Sequence, residues 1–191
     1  MLRLRFATPE AWKHAVLADT MTFLRDHAHN ERKVAGAALL LATHHPQRSS
    51  LVTAMIELAQ EELTHFGQVH DWIVKLGGDL GRDTPDAYMG AVHKLLRRGD
   101  TETYLLDRLL AFGIVESRGC ERFRMAAEAL SPGPLGDFYW ELVRSEARHH
   151  QLFIAMAREF FGEAVVVPRL DALLELEAEI AAQLPIRAAL H

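Results

Sequence analysis

A chain of 191 residues with 49% hydrophobic and 25% charged side chains has the make-up of one ordinary globular domain, long enough to bury a full core. A net charge of -5 argues against non-specific coating of nucleic acid while leaving room for a local basic patch, and a single cysteine, Cys120, excludes an intrachain disulfide. No apolar run approaches the roughly 18 residues of a membrane span, and the opening residues lack the apolar stretch of a secretory signal, so one cytoplasmic domain over residues 1–191 is expected.

Thr8-Pro9-Glu10 has the cap and first-turn chemistry of a helix start and predicts a short helix through about Leu17. Asp19 then caps a long helix to about His45, ended by Pro46. Ser49 or Ser50 opens a second, which stops at Gly77-Gly78 with Lys75 in its last turn. These two share a short loop and are expected to run antiparallel. The stretch from Asp79 to Asp100 holds Pro85 and a shorter predicted helix, about Asp86 to Arg98; it is too long for a turn and reads as a crossover.

A third long helix is predicted from about Thr101 to Leu130, ended by the Ser131-Pro-Gly-Pro134 break, and a fourth runs to about Phe161 before Gly162. Val165-Val-Val-Pro168 leads into a last amphipathic helix, about Arg169 to Leu184. No hairpin pattern appears, and only the valine run has strand character. The expected fold class is therefore all-α, a four-helix bundle with short additional helices at the N-terminus, in the crossover and at the C-terminus.

One ligand pattern occurs twice on this frame. Glu31 precedes Glu62-x-x-His65 by 31 residues, and Glu116 precedes Glu146-x-x-His149 by 30. At 100° per residue, Glu31 shares a face with Leu24, Ala28, Val34, Ala35 and Ala38, while Glu62 shares one with Met55, Leu58, His65, Val69 and Ile73. Glu116 falls with Leu105, Leu109, Phe112 and Cys120, and Glu146 with Tyr139, Leu142, His149 and Phe153. Any one of these acids alone is ordinarily a hydrogen-bonded core residue. Four carboxylates on apolar stripes, with two imidazoles, instead match the ligand set of di-iron and di-manganese four-helix bundles.

Such donors suit iron, manganese or zinc, and six of them on two metals leave positions open for oxygen chemistry. Glu61, four residues before His65, is placed to reach a ligand imidazole, His149 in the other half being the favoured partner, and His150 stands where Phe66 stands in the first half. His93, Lys94, Arg97 and Arg98 cluster before Gly99-Asp100. Arg118, Arg122 and Arg124 gather on the third long helix away from Glu116, and a solvated helix surface is the expectation there.

Asp26-His-Ala-His-Asn-Glu-Arg-Lys33, Glu61-Glu-Leu-Thr-His-Phe66, Ile114-Val-Glu-Ser-Arg-Gly-Cys-Glu-Arg-Phe123 and Ser145-Glu-Ala-Arg-His149 together resemble the MiaE family, bacterial tRNA-(2-methylthio-N6-isopentenyladenosine) hydroxylases. The resemblance implies a ferritin-like di-iron monooxygenase that uses dioxygen and an external electron donor, supplied by a reductase or electron carrier. It implies hydroxylation of the isopentenyl side chain of a hypermodified adenosine beside the tRNA anticodon. Carried over by motif, Glu31, Glu62, His65, Glu116, Glu146 and His149 would hold the two irons. A tRNA substrate further calls for a basic rim, for which Lys94, Arg97 and Arg98 are the candidates. The rival expectations are another ferritin-like oxidoreductase, such as a peroxidase, catalase or hydrocarbon hydroxylase, and an iron-storage protein.

Overall fold

The computed structural model describes residues 2–146 and 148–190. Every regular element among the described residues is an α-helix, as the patterning predicts. The chain forms two compact units, one from residues 14–85 and 187–190, the other from residues 2–13 and 86–186; the short helix α1 (Ala11–Ala18) contributes to both.

The first unit is a helical hairpin of α2 (Thr20–His44) and α3 (Ser49–Lys75). Asp19 caps α2 by accepting from the Thr22 N–H at 3.0 Å. α3 ends where Gly77 turns left-handed at φ 79°, so that the Gly77 and Gly78 N–H groups close on the carbonyls of Val74 and Ile73. Phe23, Leu24, Ala28, Ala35 and Leu41 of α2 and Leu51, Met55, Leu58, Val69 and Ile73 of α3 are all buried. The segment after α3 is tied back along α2. Arg25 donates to the Asp79 carbonyl and carboxylate, and Asp83 accepts from Lys33 at 2.7 Å and from Arg32 at 3.1 Å. Burial alone would raise the Asp83 pKa, but the Lys33 ammonium with its hydrogen bond brings it below the ordinary carboxylate value.

The second unit is organised around α5 (Thr101–Leu130), capped by Asp100 accepting from Thr103 N–H at 2.9 Å. α6 (Pro134–Glu146), α7 (His149–Phe161) and α8 (Glu163–Gln183) lie against it, and α4 (Ala87–Lys94), capped by Asp86, packs on α8. α6 opens with Pro134 at its first position, where a missing N–H costs nothing. The predicted fourth long helix thus comes as two helices, with residue 147 between them outside the described residues.

Two expectations are overturned in this unit. The valine run is helical, because α8 begins at Glu163 and carries Pro168 inside it, and Val166 is fully buried there. Burial of an apolar side chain outweighs the weak strand preference of three β-branched residues.

The arginines of α5 are also not all solvated, since α8 and the N-terminal segment cover that face. Arg118 is fully buried and donates to both carboxylate oxygens of Glu177, at 3.0 and 3.1 Å, and to Glu121 at 2.5 Å. Tyr88 donates to Glu177 at 3.0 Å, Thr8 to Glu121 at 2.6 Å, and the Arg122 Nε to the Thr8 hydroxyl at 3.3 Å. Burial, with Arg118 nearby, pushes the Arg122 pKa down to about 10. Only Arg124 keeps the expected exposed position.

A second polar knot joins the start of α8 to the loop before α5. Asp107, with no exposed surface, accepts from Arg97 and Arg169, the shortest contacts to each being 2.7 Å. Burial would raise its pKa, yet the Arg169 and Arg97 hydrogen bonds lower it to about 2. A depressed carboxylate stabilises the fold above its unfolded pKa and loses that contribution as pH falls through its folded value. Denaturant unfolding between pH 7 and 2 should therefore show about 2 kcal/mol from Asp107, complete above pH ~4 and fading toward pH ~2. Asp107→Asn should lower stability at neutral pH and remove that part of the acid limb.

Candidate metal centre

Each unit brings its own copy of the repeated pattern together. In the hairpin unit Glu31 projects from α2, and Glu62 and His65 from successive turns of α3. Their exposures are 4%, 1% and 6%, and their ligand atoms lie within 4.8 Å of one another. The i,i+3 spacing places Glu62 and His65 on one face, with His65 Nδ1 at 3.3 Å from Glu62 Oε2. Glu31 is held from its own helix: His27, fully buried one turn earlier, has its Nε2 at 2.5 Å from Glu31 Oε1. A ring N–H given to that oxygen fixes the direction of the carboxylate.

In the α5 unit, Glu116 comes from the middle of α5, Glu146 closes α6 and His149 opens α7. They are 9%, 2% and 3% exposed, and again their ligand atoms lie within 4.8 Å of one another. The Glu146 Oε2 to His149 Nδ1 distance is 2.6 Å. α7 comes close to α5 at Gly113, where an added Cβ would stand 2.8 Å from the Ile154 side chain and 3.4 Å from the His150 carbonyl. Cys120, one turn beyond Glu116, is a buried thiol whose pKa burial raises to about 11, with Glu146 and Glu116 adding to the rise. It stays protonated and serves as an apolar filler.

Two carboxylates and one imidazole at this spacing, shut away from water, form a donor set for a divalent cation. Without one, each unit would confine two acids where like charges repel and burial disfavours ionisation. The donors present therefore fit one metal in each triad by charge and by type.

The remaining sequence candidates lie as follows. Glu61 is half-buried on α3. His150 is 3% exposed, and burial, with His149 adjoining, lowers its pKa. Lys94 and Arg98 are exposed, whereas Arg97 is engaged with Asp107. Arg108 on α5, 8% exposed, escaped the sequence reading because it lies about 80° around the helix from Glu116, outside the stripe that marks the acids. Its only signal is its place between Tyr104 and Phe112 at four-residue spacing.

No helix among the described residues is long and apolar enough to cross a membrane. The chain matches the family described as tRNA-(MS[2]IO[6]A)-hydroxylase (MiaE) over residues 2–191. It is 34% identical over 173 residues to the tRNA 2-(methylsulfanyl)-N(6)-isopentenyladenosine(37) hydroxylase of Pseudomonas putida, which covers 91% of this chain and 83% of that one. To the protein of the same name from Salmonella typhimurium it is 33% identical over 138 residues, 72% of this chain and 50% of the relative. Among solved structures, "Protein 43 with aldehyde deformylating oxygenase activity" from Synechococcus superposes with a TM-score of 0.91 at 33% identity, covering 98% of this chain and 93% of that one.

Proposed function

Since the chain belongs to the MiaE family of tRNA hydroxylases, we propose that it inserts one oxygen atom into the isopentenyl side chain of a hypermodified adenosine next to the tRNA anticodon. The chain is an enzyme of all-α, ferritin-like class. The observation that carries the proposal is the pair of buried Glu/Glu/His triads, one per unit, in a chain that matches the family along its length. Glu31, Glu62 and His65, with Glu116, Glu146 and His149, are the proposed ligands of two irons.

A di-iron centre supplies two-electron activation of dioxygen. One oxygen atom goes to the substrate carbon and the other leaves as water, which requires two electrons and two protons from an external donor. The protein's own contribution is placement and exclusion. His27 holds the Glu31 carboxylate in direction, and Met55, Leu58 and Phe153, all buried, keep the surroundings of the triads dry and apolar. Glu61 and His150 are the proposed polar neighbours of the ligands, and the enzyme is proposed to act in the cytoplasm, on tRNA, with a reductase or electron carrier as partner.

Lys94, Arg97 and Arg98 are the proposed tRNA contacts. Lys94 and Arg98 are exposed, while Arg97 also holds Asp107, so its loss would disturb the fold as well. Replacing Lys94 and Arg98 together by alanine should weaken tRNA binding and lower the slope of log affinity against log salt by about 1.4–1.8, with iron content unchanged. An unchanged slope would remove both residues from the interface.

The test of the function is nucleoside mass spectrometry on isopentenylated tRNA incubated aerobically with iron-loaded protein and a reductant. One added oxygen on the modified adenosine is the expected result. The likeness to a protein with aldehyde deformylating oxygenase activity favours a second reading, oxygen-dependent deformylation of an aldehyde. Loss of the aldehyde with unchanged tRNA would select it.

A further inference from the structure

Among the buried cations of the α5 unit, Arg108 stands apart. Arg118 meets Glu177 and Glu121, and Arg122 donates to the Thr8 hydroxyl, but among the described residues no carboxylate accepts a hydrogen bond from Arg108. Its guanidinium instead lies over two aromatic rings, 5.8 Å from the Tyr104 centroid and 5.5 Å from that of Phe112. Burial lowers its pKa, and only the Tyr104 phenol, with no carboxylate, works against the effect. Rings stabilise the flat face of a guanidinium but leave its edge N–H groups unused, and a charge more than nine-tenths buried without a counter-ion is costly to keep.

That edge is not sealed inside the core. Arg108 lines an open groove with Met89, Val92, His93, Leu96 and Phe112. The segment forming one wall also carries Lys94 and Arg98, both exposed and without an ion pair among the described residues. A preorganised donor fork in an apolar groove, bordered by further cations, is complementary to an oxyanion of a polyanionic chain.

We propose that Arg108 anchors a phosphodiester of the substrate RNA in this groove, fixing the strand while the modified base is presented for hydroxylation. The proposal rests on the tRNA reading. Eight residues along α5 separate Arg108 from Glu116, about 12 Å of helix axis, and a nucleotide likewise holds its phosphate across the ribose from its base. Arg108 is thus a positioning residue, apart from the metal ligands.

The experiment compares wild type, Arg108→Met and Arg108→Lys as iron-loaded proteins, titrated with isopentenylated tRNA over a salt series. Arg108→Met should bind roughly tenfold more weakly, with the salt slope lowered by about 0.7 to 0.9. Its iron content should be unchanged and its melting temperature equal or higher, since an uncompensated buried charge has gone. Arg108→Lys should recover the slope but only part of the affinity, because it keeps the charge without the fork.

Wild-type affinity and slope in Arg108→Met would overturn the proposal, as would weaker binding at an unaltered slope, which marks an apolar packing role. If Arg108→Met does not fold, Arg108→Lys decides: a reduced affinity at the wild-type slope supports the anchor, and an unaltered affinity rejects it. Wild-type protein that shows no salt-dependent tRNA binding would remove the tRNA reading and the anchor with it. Indifference confined to the variants would remove the anchor alone.

Discussion

Glu116→Ala is expected to lose iron and hydroxylation together while staying folded. Glu116 is 9% exposed in the middle of α5, and its carboxylate shares a space 4.8 Å across with ligand atoms of Glu146 and His149. Removing it takes one negative charge from a site that holds two in this unit, so metal affinity falls steeply while the metal-free protein gains from reduced repulsion. Iron per chain, measured after anaerobic loading, should drop from two to one or fewer. Turnover should fall by more than about 100-fold, and the apo protein should melt at or above the wild-type temperature. Alanine leaves a small void on an α5 face already lined by Gly113 and Cys120, and helix propensity improves. Normal iron content with normal turnover would take Glu116 out of the ligand set.

Arg118→Ala should have the largest effect on stability. The guanidinium is fully buried, bidentate on Glu177 and hydrogen-bonded to Glu121, and Glu177 also accepts from Tyr88. Removal leaves the Glu177 carboxylate, 2% exposed, without its counter-charge. Breaking a buried pair in this way costs roughly 3–5 kcal/mol, which for a chain of this size lowers the melting temperature by about 6–20 °C. The double substitution Arg118→Met with Glu177→Leu should recover much of the loss, because it strands no charge on that pair. A single variant as stable as wild type would show that water or a rearranged Glu177 replaces the arginine.

Helix boundaries proved legible where one residue decides them. Asp19, Asp86 and Asp100 each accept a backbone N–H three residues on, and Gly77 turns left-handed to close α3. These are local effects, visible to anyone reading caps and breakers. The burial of Glu31, Glu62, Glu116 and Glu146 was legible for a related reason, since a 3.6-residue period shows which face an acid shares. What the sequence hid depends on distant partners. Val165 to Val167 look like a strand until the burial of Val166 is known, and Arg118 looks solvated until Glu177, 59 residues later, is seen to meet it. Arg108 was missed because an arginine outside the acidic stripe carries no periodic mark, and its meaning lies in the absence of an acid that sequence cannot reveal.

The knot on Arg118 also sets an order of events during synthesis. Arg118 must be desolvated by Glu177, Tyr88 and Glu121, and Glu121 in turn receives Thr8 from the opening segment. The carboxylate that neutralises Arg118 thus lies 59 residues after it, so α5 is made well before its buried counter-charge. Until α8 emerges, Arg118 has only Glu121 of its own helix as a carboxylate partner, and two acids repel near Glu116, so the nascent chain has reason to remain open. Closure of this unit therefore waits on α8, the helix that carries Glu177.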